Sequence, residues 1–257
     1  MATASGTLAI AYVTYLEARR QHTVWLALGW TAFCVGVGLF FQQLAIAEAG
    51  ATYTAITAAL LRSGAAVVVC LFVVSSVIRE TEQGGLPWLM AMPLPRYAYP
   101  LGKILGTVPL IGLLLGLGSL SVLPFAAAFD LFQWAVTLAC ELLLVAAFSL
   151  LCALGLRQLP LAVAATLGFY GLARSMDAIV LMAAQPAVTE TGYASALVGQ
   201  AAGLLATLLP ALPRYADTAW LIYGGEAVSL SAVVVQTAIY LVLLLAATVF
   251  DFYRREL

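Results

Sequence analysis

The 257-residue chain is 64% hydrophobic and 9% charged, and its eleven basic and twelve acidic residues give a net charge of −1. Soluble domains carry about 25% charged residues, so an ordinary water-soluble core is excluded, and scattered, acid-balanced cations exclude a nucleic-acid surface. The chain has one His, no Asn and therefore no N-glycosylation acceptor, and four Cys without C-x-x-C spacing; H-E-x-x-H and G-x-S-x-G are absent, which removes the common metal and nucleophile constellations.

The first ten residues carry no charge and lead into YLEARRQH, without the basic start and cleavage pattern of a signal peptide. Residues 8–20 are expected to form an amphipathic helix on the membrane surface, with Leu8, Val13 and Leu16 toward lipid and Glu17, Arg19 and Arg20 toward water. His22 follows as a solvated residue at the membrane edge.

Apolar runs then recur at 23–45, 53–77, 101–125, 131–155, 160–184 and 229–250, each near the ~20 residues that cross ~30 Å of hydrocarbon as helix. Six spans place both termini on one side. That side collects Arg19, Arg20, Arg79, Arg96, Lys103, Arg157, Arg254 and Arg255, eight of the eleven basic residues, while Arg214 alone falls in a loop on the other. Because Lys and Arg accumulate in cytoplasmic loops, the termini are expected in the cytoplasm of a bacterial cell, with the chain a single multi-pass domain (1–257) of the inner membrane. Cys34, Cys70, Cys140 and Cys152 all fall within spans and read as small buried apolar residues.

The apolar stretch 194–210 is short and ends in proline. As a seventh span it would throw the tail RREL outside, so it is expected to be a re-entrant or interfacial helix within an external loop, 185–228.

Four ionisable residues fall inside spans: Arg62, Glu141, Arg174 and Asp177. Measured along each helix they share one layer, about 10–15 Å from the outer ends of their spans, and their charges cancel. Such residues must face protein or water. They either hold spans together as paired charges or line a polar path for a substrate. Gly102, Gly106, Gly112 and Gly116 give the third span two G-x-x-x-G spacings, which favour close helix approach and read first as internal packing.

The most polar internal segment joins the second and third spans, RETEQGGLPWLMAMPLPRYAYPLGK, residues 79–103. Arg79, Glu80 and Glu82 are followed by a break at Gly84 and Gly85, a short helix over 86–92 with Leu86, Leu89 and Met90 on one face and Trp88 at the headgroups, and then Pro93, Pro95, Arg96 and Pro100. Gly102-Lys103 is not a phosphate-binding loop: Ile104 stands where Ser or Thr should hold magnesium, and no Gly lies six residues before Lys103.

This segment resembles the first cytoplasmic loop of the type-2 ATP-binding-cassette (ABC) transporter permeases. The matching residues are Arg79-Glu80, Glu82, Gly84-Gly85-Leu86, Leu89, Pro93-Leu94-Pro95-Arg96 and Gly102-Lys103. The opening YLEARRQHTVW and closing DFYRREL are similar to that family's surface helix and tail, while Gly85 and Pro87 depart from its pattern. The resemblance covers the six-span layout and implies an all-α integral membrane subunit with a cytoplasmic coupling helix between spans 2 and 3 and re-entrant external helices before span 6. It implies a homodimer whose coupling segment (Arg79, Glu80, Glu82, Gly84, Gly85, Leu86, Leu89, Met90, Pro93 and Arg96) docks on a separate ATPase subunit. That subunit would hold ATP and Mg. The chain itself would be no enzyme and carry no cofactor, and an outer partner protein could dock on 185–228. Relatives of this kind include haem-exporter and copper-enzyme-maturation permeases; the Met or His cluster that copper would favour is missing. Two other classes stay open at this point, an ion-driven secondary transporter that uses the charged layer and a membrane scaffold that transports nothing.

Overall fold

The computed structural model describes residues 2–46, 48–84, 95–184, 210, 212, 215 and 229–254. Its regular structure is helical: α1 (Ala2–Arg20), α2 (Thr23–Leu44), α3 (Ala49–Glu82), α4 (Ala98–Val122), α5 (Ala128–Leu156), α6 (Leu159–Ala184) and α7 (Leu230–Arg254). Among the described residues, six helices are long and apolar enough to cross a membrane. They coincide with the six runs expected from sequence, and the chain is a multi-pass membrane protein, all-helical over its described residues.

The largest difference is α3. It begins at Ala49 rather than 53 and continues to Glu82, 34 residues in all, or about 50 Å at 1.5 Å per residue. The hydrophobic window ends before the helix does because Arg79, Glu80 and Glu82 are good helix formers that water solvates equally well. Gly84, at φ +71°, then ends the helix in the left-handed region that suits glycine, and its N–H bonds to the Thr81 carbonyl. The break expected at Gly84 is therefore present, whereas Gly85, Leu86, Trp88, Leu89, Met90 and Pro93 lie outside the described residues, as does the stretch 194–210 apart from Pro210.

α3 and α5 form the centre of the bundle. In their most apolar stretches 78% and 67% of residues are buried, against 17% in both α2 and α7. α3 touches α2, α4, α5 and α6, and α5 touches α3, α4, α6 and α7. The end of the bundle where α3 and α7 finish and α2 and α4 begin is termed the base.

Glycine sets two of the closest approaches. A Cβ at Gly64 of α3 would fall inside the Trp30 indole of α2, whose N–H donates to the Leu60 carbonyl at 3.2 Å. A Cβ at Gly102 of α4 would lie 2.8 Å from Ile10 Cβ, and one at Gly106 2.5 Å from Thr14 Cβ. α1 thus docks on α4 through Ile10, Thr14 and Ala18, all buried and spaced by four. Leu8 and Val13 face outward as expected. Gly112 and Gly116, with the same spacing, have open space above them. The first G-x-x-x-G is internal packing and the second is not.

Candidate functional site

Two polar clusters stand out against the apolar bundle. The deeper one is built on α5, where Trp134, Thr137 and Glu141 share a face at helical spacing. Arg62 of α3 reaches this face, and both it and Glu141 are fully buried. Arg62 Nη1 donates to Glu141 Oε2 at 2.7 Å and to the Tyr215 carbonyl, and Nη2 donates to Thr137 Oγ1 at 3.1 Å. The guanidinium carbon lies 5.9 Å from the Trp134 ring centre, a cation–π contact. From α6, the Tyr170 hydroxyl donates to Glu141 Oε1 at 2.8 Å and Arg174 Nη1 approaches the same oxygen at 3.4 Å.

One carboxylate is thus shared by two guanidiniums. This is physically reasonable, because an unpaired buried charge costs several kcal/mol and a carboxylate can accept from several donors. The structure brings Arg62, Glu141 and Arg174 of the sequence-expected layer together; the side chain of Asp177 lies outside the described residues. Sequence reasoning missed Thr137, Tyr170 and Tyr215. Thr137 and Tyr170 each stand four residues before a charged member of the layer, a spacing that marks a shared helix face. Tyr215 carries no such signal. It is buried within the segment 185–228, its carbonyl accepts from Arg62, and its hydroxyl lies 3.1 Å from Thr237 Oγ1 of α7. Residue 215 therefore meets the level of Arg62, where a backbone carbonyl has to be satisfied by protein. The Nε atom of Arg62 and the indole N–H of Trp134 have no hydrogen-bond partner among the described residues.

The second cluster lies at the base. Lys103, with its side chain 3% exposed, donates to Ser76 Oγ at 2.6 Å and to Glu80 Oε1 at 2.6 Å, and lies 3.5 Å from Glu17 Oε2. Three acceptors meet the three N–H bonds of its ammonium. The Ser76 hydroxyl in turn donates to Glu17 Oε2 at 2.6 Å, Arg79 pairs with Glu17 Oε1, and the Tyr99 hydroxyl donates to Glu80 Oε2 at 2.7 Å. Glu17 was expected to face water. It is 12% exposed instead, because docking of α1 on Gly102 and Gly106 turns its carboxylate toward Lys103 and Arg79, which compensate its burial.

The network ties the end of α3 to α1 and to the start of α4. A second set of contacts ties the start of α4 to the end of α7. Tyr99 stacks parallel to Phe252 at 5.7 Å between ring centres. Arg96 donates to the Tyr253 carbonyl at 3.3 Å, with its guanidinium 5.3 Å from the centre of that ring. Glu82 is exposed. Of the expected coupling residues, then, Arg79, Glu80 and Arg96 bind within the chain, and Glu82 faces outward.

No group of three or more potential metal-ligating side chains occurs among the described residues. No family model matches the chain, and no curated protein matches it in sequence.

Proposed function

We propose that the chain is the membrane-spanning subunit of an ATP-driven transporter of the type-2 ATP-binding-cassette kind. In this reading the base faces the cytoplasm of a bacterial cell, two copies pair, and a separate ATPase subunit binds the segment 79–96 and drives export or extraction of a substrate toward the outer side. The observation that carries the reading is the anchoring of both ends of that segment. Arg79 and Glu80 at its start are tied to α1 and α4 through Lys103, and Arg96 at its end is tied to α7. A partner that pushed on 85–94 would move four helices together, which suits a two-state element biased by ATP. Residues that carry the resemblance, Arg79-Glu80 and Gly102-Lys103, are also the ones that build this base.

The test is purification of the tagged chain from its native membrane. An associated subunit that hydrolyses ATP is expected, and recovery of a lone, ATP-indifferent chain would overturn the proposal. The Arg62–Glu141–Arg174 cluster favours a second reading, ion-driven transport, in which Arg174, 31% exposed at its side chain, would face the path. Substrate movement that follows an ion gradient without ATP would favour that reading.

A further inference from the structure

One stripe of α3 changes its covering along its length. Thr57, Leu60, Gly64, Val68, Leu71 and Ser75 follow one another at spacings of three and four, so they run down a single face. Its upper part is covered by α2: Gly38 sits against Tyr53 and Thr57, and Trp30 sits on Gly64 and Leu60. Toward the base the covering ends. Val68, Leu71, Phe72 and Ser75 of α3, with Leu26 of α2 and Gln21, His22 and Thr23 before and at its start, line an open cleft of about 310 Å³.

The lining is sorted by depth. Leu26, Val68, Leu71 and Phe72 make its wall along the membrane, while Gln21, His22 and Thr23 form a polar rim at the edge. Arg19 and Arg20 directly precede this rim. Both are exposed, and neither makes an ion pair with a described residue. The nearest acid in sequence, Glu17, is already held by Lys103 and Arg79 and accepts from the Gln21 amide at 3.1 Å, so Arg19 and Arg20 leave a surplus of positive charge beside the rim. An apolar wall on the lipid side, a polar rim at headgroup level and two cations without an ion pair among the described residues complement one class of molecule, an amphiphile with an anionic head.

We infer that this cleft between α2 and α3 is a binding site for an anionic phospholipid of the leaflet at the base, its acyl chain along Val68, Leu71 and Phe72 and its headgroup beside Arg19, Arg20 and His22. The inference is independent of the ATP-coupling proposal, and either can fail alone. Surface cations of this kind attract acidic lipid by about fivefold each, so two favour it by roughly twentyfold or more before competition from the surrounding bilayer.

The full chain is reconstituted in vesicles containing equal phosphatidylglycerol and phosphatidylcholine, extracted in mild detergent, and its retained lipids are counted by native mass spectrometry. Retention of phosphatidylglycerol over phosphatidylcholine is expected, with the preference abolished in the double variant Arg19→Gln/Arg20→Gln and the bound lipid lost in Val68→Phe, which fills the wall. The arginines are exposed, so their replacement leaves folding intact even where Val68→Phe does not. Equal retention of the two lipids by the unmodified chain, or a preference unchanged in the arginine variant, would overturn the inference.

Discussion

Arg62 is enclosed by protein, and its polar partners come from a single helix, α5, and from residue 215. Removing one member of a buried ion pair strands the other, at a cost of about 3–5 kcal/mol, whereas replacing both with apolar side chains is often neutral. Arg62→Met and Glu141→Met are each expected to destabilise the chain by that amount, and the double variant to recover most of the loss, as read from unfolding in detergent. If the two effects simply add, the pair is not an interacting unit. The charged layer was legible because intramembrane charges are costly and helical rise fixes their depth. Tyr215 was not, because a tyrosine in a polar stretch carries no periodic signal that would bring it to a mid-membrane arginine. Glu17 misled for a related reason: its place beside two arginines reads as a solvated face, and only the docking of α1 shows which neighbours it meets.

At the scale of elements, the helices' existence and order were legible from apolar run length, and their ends less so. The ends of α3 are set by helix propensity and by Gly84, which hydropathy does not see. The face that α1 buries was also hidden. Ile10, Thr14 and Ala18 include only one large apolar residue, since small side chains let the helix settle onto Gly102 and Gly106. Gly106→Leu is therefore expected to free α1 from α4, which hydrogen exchange would register as faster exchange along α1, while Gly116→Leu, with open space above it, should leave α1 unchanged. Similar exchange in the two variants would contradict this account of the docking. Gly64→Leu should likewise force Trp30 from its seat and break its bond to the Leu60 carbonyl, visible as a changed indole fluorescence in a chain whose other tryptophans are replaced.

For the whole molecule, the base joins α1, α3, α4 and α7 through charge and aromatic stacking rather than through apolar packing alone. Lys103 is its hub, and Lys103→Met should leave Glu80 without a cation and Glu17 with Arg79 alone, lowering stability by roughly 3 kcal/mol, with partial recovery when Glu80→Gln is added. The same geometry separates two kinds of residue within the segment that sequence treated alike. Glu80 is held by Lys103 and Tyr99 and serves the base itself, whereas Glu82 is exposed and is the better probe of an external partner. The most direct measurement is ATP hydrolysis by the purified complex carrying Glu82→Lys beside the unmodified complex, with membrane insertion checked in both. The proposed coupling predicts that turnover falls several-fold while insertion stays normal; unchanged turnover would contradict the claim that this segment links the bundle to an ATPase.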